Sequence, residues 1–337
     1  MRSLANKSVR ESRTMRAIVI PSTGKLELRD VPSPEPGPGQ ARVRVRASAV
    51  NRADLLQVMG AYPAPHDAPP DIPGLEIAGE VDAVGAGAFD VRVGDRVYGL
   101  VGGGAYAEQV VVHARTLAKI PGSLTWEDAA AIPEAFVTAY DAMVLQAGLA
   151  AGESVLVHAA GSGVGTAAAQ IARAIGARAI GTARSEDKIA RAKALGLAAG
   201  IVVKDAKFER AVRAENEGRG VDVVLELVGG AYVPESLASL TDRGRLVLVG
   251  LTAGANAEID LGVVLRRRLR IFGTVLRARP LEEKILAGQT LAKNISPLFA
   301  AGALRAVVDR IFPLEKVAEA HAYVASNASF GKVVLAV

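Results

Sequence analysis

The first third of the chain consists of short apolar runs separated by polar or glycine-rich breaks. In Ala41–Ala49 the residues at 42, 44 and 46 are arginines and those between them are apolar, the period-two pattern of a half-buried strand. Met15–Ile20, Gly74–Val84 and Asp95–Leu100 share this β-rich character, whereas Val31–Gly39 is dense in proline and glycine and predicts a loop. We therefore expect a compact, mostly antiparallel β domain here.

Beyond residue 125 the pattern changes to alternating strands and helices. Trp126–Ala131 and Ala135–Gln146 predict helices with Pro133 between them. From Ser154 onward, short apolar strands alternate with helical segments, which implies right-handed βαβ units and a parallel, doubly wound sheet. The predicted strands are Val155–His158, Arg178–Thr182, Ile201–Val203, Val221–Leu227, Leu246–Gly250 and Arg270–Thr274, and the predicted helices include Gly165–Ile175, Glu186–Leu195 and Phe208–Glu215.

These patterns predict an α/β protein of two domains, because 337 residues are too many for one typical core. The β-rich domain is expected over residues 15–136 and 278–337, since a helical stretch at Leu281–Ala301 and a last strand at Lys332–Val337 return to it. The parallel-sheet domain is expected over residues 137–277. Residues 1–14 carry four basic residues against one acid and predict a disordered basic extension, with a short transit peptide as the alternative.

The composition excludes several classes of chemistry. The chain has no cysteine, so disulfides, cysteine-ligated metals and cysteine nucleophiles are excluded. No apolar run approaches the roughly 18 residues of a membrane span, and no secretory signal is visible. The net charge of +5 lies largely in the first 14 residues, so a basic face for nucleic acid is not expected. We expect a cytoplasmic protein with no membrane partner.

A glycine-rich turn follows the first strand of the predicted parallel sheet and opens a helix. The residues from Val155 to Gly165 read Val-Leu-Val-His-Ala-Ala-Gly-Ser-Gly-Val-Gly. Ala160, Ser162 and Gly165 take the three places of the glycine fingerprint, with Gly163 beside them, and in this context they predict a dinucleotide site, because the backbone can approach a pyrophosphate and the helix amides face it. A glycine-rich turn without a ligand is the alternative. A serine-hydrolase elbow would need glycines where this chain has Ala160 and Val164.

The next predicted strand indicates which nicotinamide cofactor the turn would hold. An acid about 20 residues past the turn would bind a ribose hydroxyl, but this strand ends Gly-Thr-Ala-Arg-Ser, with no acid. Arg184, Ser185 and Lys188 instead offer charge and donors for a 2′-phosphate, with ordinary solvated charge as the alternative. Glu186 and Asp187 suit a first helical turn behind a Ser185 cap. The sequence therefore favours NADPH.

Several segments together resemble the medium-chain dehydrogenase/reductase superfamily, over nearly the whole of Met15–Val337. Within it, the chain is similar to the zeta-crystallin-type quinone oxidoreductases. Ser162, where glycine is usual, and the Ile-Pro-Glu-Ala run at 132–135 are similar to the stress-inducible quinone oxidoreductase subgroup. The resemblance implies a GroES-like catalytic domain and a Rossmann domain. The segments that carry it are Asn51–Gln57, Gly74–Gly79, Val93–Val97, Ala131–Tyr140, Gly152–Arg173 and Phe330–Val334.

The resemblance also implies a site without metal. Zinc alcohol dehydrogenases of the superfamily carry a cysteine near Asn51 and a histidine at the place of Leu75, and both are absent here. Tyr62 matches a tyrosine beside the quinone site, where a phenol can donate to a carbonyl that gains negative charge, with a packed loop tyrosine as the alternative. Asn51 and Asp54 match residues near the nicotinamide, and Asp54 is equally well a helix cap.

Further cofactor contacts are implied by the same resemblance. Val203 occupies a place where a tyrosine often lies beside the 2′-phosphate, which puts the affinity for NADPH in doubt. The implied contacts are Thr138, Ser162, Gly163, Val164, Lys188, Gly250, Leu251 and Lys332.

The function expected from these observations is hydride transfer from NADPH to a quinone. Relatives pair through the last strand of the nucleotide sheet, so a homodimer through Arg270–Thr274 is expected by analogy. One alternative is a reductase of activated carbon–carbon double bonds, such as those of enals or enones. An alternative of another class is a cofactor-binding protein with a structural or RNA-binding role.

Overall fold

The structure, a computed structural model, describes residues 13–337, so the basic extension expected over residues 1–14 lies almost wholly outside the described residues. No helix among the described residues is long and apolar enough to cross a membrane. In chain order the strands are β1 (Thr14–Val19), β2 (Glu27–Pro32), β3 (Gln40–Val50), β4 (Glu76–Val84), β5 (Arg96–Leu100), β6 (Gln109–His113), β7 (Leu117–Lys119), β8 (Ser154–Val157), β9 (Arg178–Ala183), β10 (Ala199–Val202), β11 (Val221–Glu226), β12 (Leu240–Leu248), β13 (Arg270–Gly273), β14 (Val308–Pro313) and β15 (Lys332–Ala336).

The helices connect these strands and cover the sheets. They are α1 (Arg52–Val58), α2 (Trp126–Ala130), α3 (Pro133–Tyr140), α4 (Gly163–Ala174), α5 (Glu186–Lys193), α6 (Glu209–Glu215), α7 (Tyr232–Ser239), α8 (Leu261–Arg267), α9 (Leu281–Thr290), α10 (Ser296–Ala300) and α11 (Val317–Ala325). The sequence had suggested that Pro133 separates two helices. In the structure it is the first residue of α3. A proline at this position has no amide to lose, and its fixed φ suits the first helical turn.

The parallel sheet has six strands in the order β10-β9-β8-β11-β12-β13. Every pairing in it is parallel, so the doubly wound sheet expected from the strand–helix alternation is confirmed. Its central strands are buried on both faces, which explains why Val155, Leu156 and Val157 form a continuous apolar run. The turn that follows β8 lies at the carboxyl edge of this sheet, where the strand order reverses and open α/β sheets bind ligands.

The second large sheet has the order β14-β15-β3-β4-β5-β7, with β6 also paired to β3. Its pairings are antiparallel except for β14 with β15, which confirms the mostly antiparallel character. The last strand returns to this sheet beside β3, as expected. A separate two-stranded sheet pairs β1 with β2, and β2 includes Val31 and Pro32, which the loop prediction had covered.

The sequence predicted that the alternating arginines of β3 face solvent, and the structure bears this out for two of the three. Arg44 and Arg46 are exposed, but Arg42 is buried. Its guanidinium reaches Asp82 at 2.8 Å and Glu35 at 3.0 Å, which compensates the charge for its loss of water.

Helix α3 joins the two large sheets into one body. Phe136 packs edge-to-face on Phe299 with ring centroids 4.8 Å apart, and Val137 and Ala139 are fully buried. Because α3 packs against α4 of the parallel sheet and also against β4 and β5, its first turn lies where the two sheets meet.

Candidate functional site

The glycine-rich turn joins strand β8 to helix α4, and two of its positions have no room for a side chain. Ser162 is the N-cap of α4, and its Oγ accepts a hydrogen bond from the Gly165 amide at 3.0 Å. A Cβ at Gly165 would collide with the Ala159 carbonyl, and a Cβ at Gly163 would lie 2.6 Å from Cδ of Lys332. The turn therefore needs glycine at both positions to bring helix, strand and Lys332 together.

The turn also offers amides for an anion. The amide of Val164 donates no hydrogen bond to any residue within 13–337, whereas the parallel bridge between Ser162 and Gly331 directs the Gly163 amide toward the Gly331 carbonyl. Gly163 and Val164 open the 12-residue helix α4, so the helix dipole adds partial positive charge at the same point. The free amide of Val164, the helix dipole and the lack of side chains at Gly163 and Gly165 together fit the pyrophosphate of a dinucleotide.

Arg184 and Ser185 follow β9 and are exposed, beside the turn. Ser185 caps α5, with its Oγ 3.4 Å from the Lys188 amide, as the sequence suggested. Burial and the positive charges of Arg184 and Arg191 lower the pKa of Lys188, and burial and Arg184 lower that of Arg52. Asp309 and Asp187 oppose the shift at Lys188, so the cations lie close together but are partly balanced, and Arg184 is the one that suits a phosphate.

Lys188 has contacts that the sequence did not anticipate. Its Nζ donates to the carbonyl oxygens of Asn327 at 2.7 Å and Ser329 at 2.8 Å. The ammonium thus ties α5 to the segment that precedes β15. Arg52 reaches the same segment, with its guanidinium 2.7 Å from Oδ1 of Asn327.

Of the other predicted cofactor contacts, two are buried and two lie at the carboxyl edge of the parallel sheet. Val203 is buried in the apolar core beneath the sheet edge, so its side chain does not face the turn. Thr138 is also largely buried, one turn along α3 from its first residues. Gly250 and Leu251 follow β12 at the carboxyl edge of the sheet, and Leu251 is half exposed there.

Lys332 connects the turn to the antiparallel sheet. Its stem passes Gly163, and its Nζ lies 2.7 Å from Oε1 of Glu76 and 2.5 Å from Oδ1 of Asn51. Glu76 is fully buried and Lys332 nearly so. A second oxygen of Glu76 accepts the backbone amide of Glu134 at 2.8 Å. We call these residues, Asn51, Glu76, Glu134, Gly163 and Lys332, the inter-sheet junction.

Both polar atoms of the Asn51 side-chain amide are hydrogen-bonded at this junction. Its Nδ2 donates to Oε1 of Glu76 at 2.8 Å and to the Ala49 carbonyl at 3.2 Å, while its Oδ1 accepts from Lys332. Its side chain therefore fixes the positions of the two charged groups.

Asp54 is fully buried, and both of its oxygens have partners. They accept from the amides of Asn51 at 2.7 Å and Gly74 at 3.2 Å and from the Tyr106 hydroxyl at 3.0 Å. Burial raises the pKa of Asp54 to about 6, although these donors oppose the shift. The contacts are those of a helix cap, one of the two roles that the sequence left open, and a catalytic role stays a prediction.

Tyr62 is partly exposed, and its hydroxyl makes no hydrogen bond to a residue in the described part of the chain. Arg277, from the segment after β13, donates to the Tyr62 carbonyl at 3.1 Å, to Gln57 Oε1 at 2.6 Å and to the Gly102 carbonyl at 2.7 Å. Its guanidinium also lies 5.2 Å from the centre of the Tyr62 ring. Arg277, which sequence reasoning missed, therefore fixes the Tyr62 loop from the parallel-sheet side.

Glu134 is the second functional candidate that sequence reasoning missed. It is the second residue of α3, and its run Ile-Pro-Glu-Ala served only to identify a subgroup. Burial, followed by the negative charge of Glu76, raises the pKa of Glu134 to about 8. Burial and the charge of Glu134 also raise the pKa of Tyr62, so the two groups share one electrostatic environment.

The residues between 13 and 337 include no group of three or more histidines, aspartates or glutamates arranged to hold a metal ion.

Two protein-family models match the chain. The "Alcohol dehydrogenase GroES-like domain" matches residues 37–122, and "Zinc-binding dehydrogenase" matches residues 163–289. The first covers strands of the antiparallel sheet, and the second begins within the turn at Gly163 and covers strands β9 to β13 of the parallel sheet. The expectation of a GroES-like domain combined with a Rossmann-type domain is confirmed.

Relatives of known name include a quinone oxidoreductase and a polyketide synthase. The chain is 35% identical to the quinone oxidoreductase of Lama guanicoe over 333 residues, covering 96% of this chain and 98% of that protein. It is 39% identical over 293 residues to the polyketide synthase GfsB of Streptomyces halstedii. That match covers 86% of this chain but spans only 5% of the synthase.

Solved structures share the fold at similar identity. A mycobacterial protein complexed with NADPH has a TM-score of 0.85 at 31% identity, covering 96% of this chain and 100% of that one. A protein described as an NAD-dependent alcohol dehydrogenase has a TM-score of 0.84 at 35% identity, with the same coverage. A nicotinamide cofactor is thus common to these neighbours.

Proposed function

Because the chain belongs to the medium-chain dehydrogenase/reductase superfamily, we propose that it is an NADPH-dependent quinone oxidoreductase. The observation that carries this proposal is the direct contact between the glycine turn and the inter-sheet junction through Lys332. A dinucleotide bound at the glycine turn, against the free amide of Val164, would extend toward residues of the antiparallel sheet. The quinone oxidoreductase from Lama guanicoe, which this chain matches over 96% of its length, supports the choice of acceptor.

The bound cofactor supplies the hydride, and the residues of the chain position the acceptor and stabilise its charge. We propose that the Tyr62 hydroxyl donates a hydrogen bond to the acceptor oxygen. This hydroxyl has no partner in the described chain, and its raised pKa keeps it a neutral donor at neutral pH. Arg277 fixes the loop, so the donor is in place before the acceptor arrives.

The preference for NADPH over NADH belongs to the same proposal. It is supported by Arg184 and Ser185 at the end of β9, where no acid is present to bind a ribose hydroxyl. The neighbour complexed with NADPH agrees with this choice. We further propose that Thr138, Gly250 and Leu251 contribute to the cofactor site, whereas the burial of Val203 leaves it only a supporting role.

A reductase of activated carbon–carbon double bonds is the second candidate. The match to a polyketide synthase favours it, because a polyketide is an acyl chain that bears carbonyl groups. Hydride addition to a double bond conjugated with a carbonyl also places negative charge on an oxygen. The Tyr62 hydroxyl could stabilise that oxygen in the same way.

A panel assay of NADPH oxidation distinguishes the candidates. We expect turnover of simple quinones, with kcat/KM for NADPH at least about tenfold above that for NADH, equivalent to roughly 1.4 kcal/mol. Turnover of enones without quinones would favour the second candidate. Tight NADPH binding without turnover of either class would favour the structural or RNA-binding alternative, and equal use of NADH would contradict the reading of Arg184.

We also propose a homodimer through β13, in the cytoplasm. β13 is one of the two edge strands of the parallel sheet as described, and Leu261 and Leu265 on the neighbouring α8 are 70% and 77% exposed. An exposed strand edge beside apolar side chains is suited to pairing with a second copy. Light scattering of the purified protein would measure the mass, and a monomer at micromolar concentration would contradict the dimer.

A further inference from the structure

Glu134 lies at a point where several elements converge. It is in the first turn of α3, and its backbone amide is bound to Glu76 of β4. The next residue, Ala135, has its Cβ 3.6 Å from the position that a Cβ of Gly163 would occupy. Glu134 is therefore within one residue of the proposed cofactor turn and also bonded to the antiparallel sheet.

The carboxyl group of Glu134 has no partner of its own. No hydrogen bond or ion pair joins it to another residue in the described range 13–337, although its neighbours Glu76 and Asp54 are fully bonded. The residue is partly accessible. An unpaired carboxyl group beside the buried anion Glu76 is disfavoured as an anion, and its accessible oxygens are open to a bound molecule.

Charged and titratable groups face Glu134 from each element packed around it, and the negative ones outweigh the positive ones. Glu76 is the nearest anion, and it is already shared between Lys332 and Asn51. Burial and Glu76 raise the pKa of Glu134 to about 8, so the group is protonated at neutral pH. The facing groups are Glu76 on β4, Asp54 on α1, Lys332 on β15, Arg277 after β13 and Tyr62 after α1.

We propose that Glu134 is the proton donor of the reaction, an inference that rests on the proposed reductase function. A quinone that accepts a hydride gains two electrons and one hydrogen, and it needs one more proton to become a hydroquinone. The O–H bond of the Glu134 carboxyl breaks, a new O–H bond forms on the quinone oxygen, and the carboxylate remains. Solvent returns the proton to the carboxylate after the product leaves. With an enone, the same proton would go to the enolate.

Other groups near the junction are less suited to this step. The pKa of Tyr62 is raised above its ordinary value of 10.0, which makes the phenol a good hydrogen-bond donor but a weak acid. Asp54 is enclosed by its three donors. Lys332 is engaged with Glu76 and Asn51. A proton donor is most effective when its pKa is close to the working pH, and Glu134 meets that condition.

The test compares Glu134→Gln with the surface variant Glu215→Gln as a matched control. In the protein without cofactor, infrared spectra should contain the carbonyl band of a protonated carboxyl that disappears between about pH 7 and 9.5. We expect this band in the wild type and in Glu215→Gln but not in Glu134→Gln. A band with a midpoint near pH 8 that persists in Glu134→Gln, or its absence from the wild type, would overturn the proposal, whereas a band lost near pH 6 belongs to Asp54.

Kinetics then test the donor role. The donor form exists below a pKa of about 8, so wild-type kcat should fall as pH rises through that value. Glu134→Gln should lower kcat about 100-fold, leave the Kd for NADPH unchanged and remove the fall at high pH. Unchanged kcat in Glu134→Gln overturns only the donor role. If the wild type turns over neither quinones nor enones, the proposed function fails, and the donor role fails with it.

Discussion

The side chains of the proposed site differ in whether their polar atoms already have a hydrogen-bond partner in the protein. Asn51, Lys332 and Asp54 have their polar atoms engaged within the protein. The Tyr62 hydroxyl and the Glu134 carboxyl have no protein partner in the described chain. A group without a partner can bind a substrate without first breaking a bond, so these two are the candidates for direct contact, and the others position them.

This division predicts the behaviour of Tyr62→Phe. Loss of the hydroxyl should lower kcat/KM for the acceptor about 100-fold, because a donor to a developing oxyanion is removed, while NADPH affinity stays the same. Tyr323→Phe is a matched control, since its hydroxyl already donates to Asp309. An unchanged rate in Tyr62→Phe would remove the tyrosine from the mechanism.

The element proposed to bind the cofactor is the joint between β8 and α4. Ser162 caps the helix and the glycines keep the backbone close, so that the first amides of α4 point out of the turn, with that of Val164 free among the described residues. The position of these amides depends on tight packing of the helix against the strand. Any side chain that separates the two moves the amides away from a bound phosphate.

Gly165→Ala tests this joint. Its Cβ would meet the Ala159 carbonyl and lie 2.7 Å from Cα of Ala160, so the helix must shift. We expect NADPH affinity to fall at least about tenfold and stability to fall by roughly 1–3 kcal/mol. Gly122→Ala is the control, because no atom lies within 4 Å of its Cβ position. Wild-type affinity in Gly165→Ala, measured by fluorescence titration, would contradict the role of the joint.

At the scale of the molecule, the buried pair of Lys332 and Glu76 holds distant parts of the chain together. Lys332 begins the last strand, Glu76 begins β4, and the pair also holds Asn51 and the first turn of α3. A buried pair has a large desolvation cost. Removing one partner therefore destabilises the protein mainly because the other charge stays buried without a counter-ion.

Lys332→Met leaves Glu76 buried without its counter-ion. We expect the free energy of unfolding to fall by about 3–5 kcal/mol, measured by urea unfolding. In Lys332→Met combined with Glu76→Gln the loss should be smaller, because no buried charge remains unpaired. An additive double variant would show that the two charges do not interact.

The sequence by itself determined the features that depend on neighbouring residues. Strand–helix alternation predicted the parallel sheet, and the turn at Ser162–Gly165 predicted the start of α4, because these patterns repeat over a few residues. Tyr62 and Asn51 were identified only through the family resemblance. The local pattern placed Pro133 between two helices and Arg42 on the solvent side of a strand, and both predictions were wrong. Arg42 proved to be buried because Asp82 lies opposite it on another strand.

Only the tertiary structure decided which polar groups meet. Lys332 and Asn51 are 281 residues apart in sequence, and Arg277 and Tyr62 are 215 apart, so no local period contains either contact. The same holds for the charge state of Glu134, which depends on burial and on Glu76 rather than on its own segment. Sequence periodicity thus determined the elements and the turn, while burial and long-range electrostatics decided which side chains are free to react.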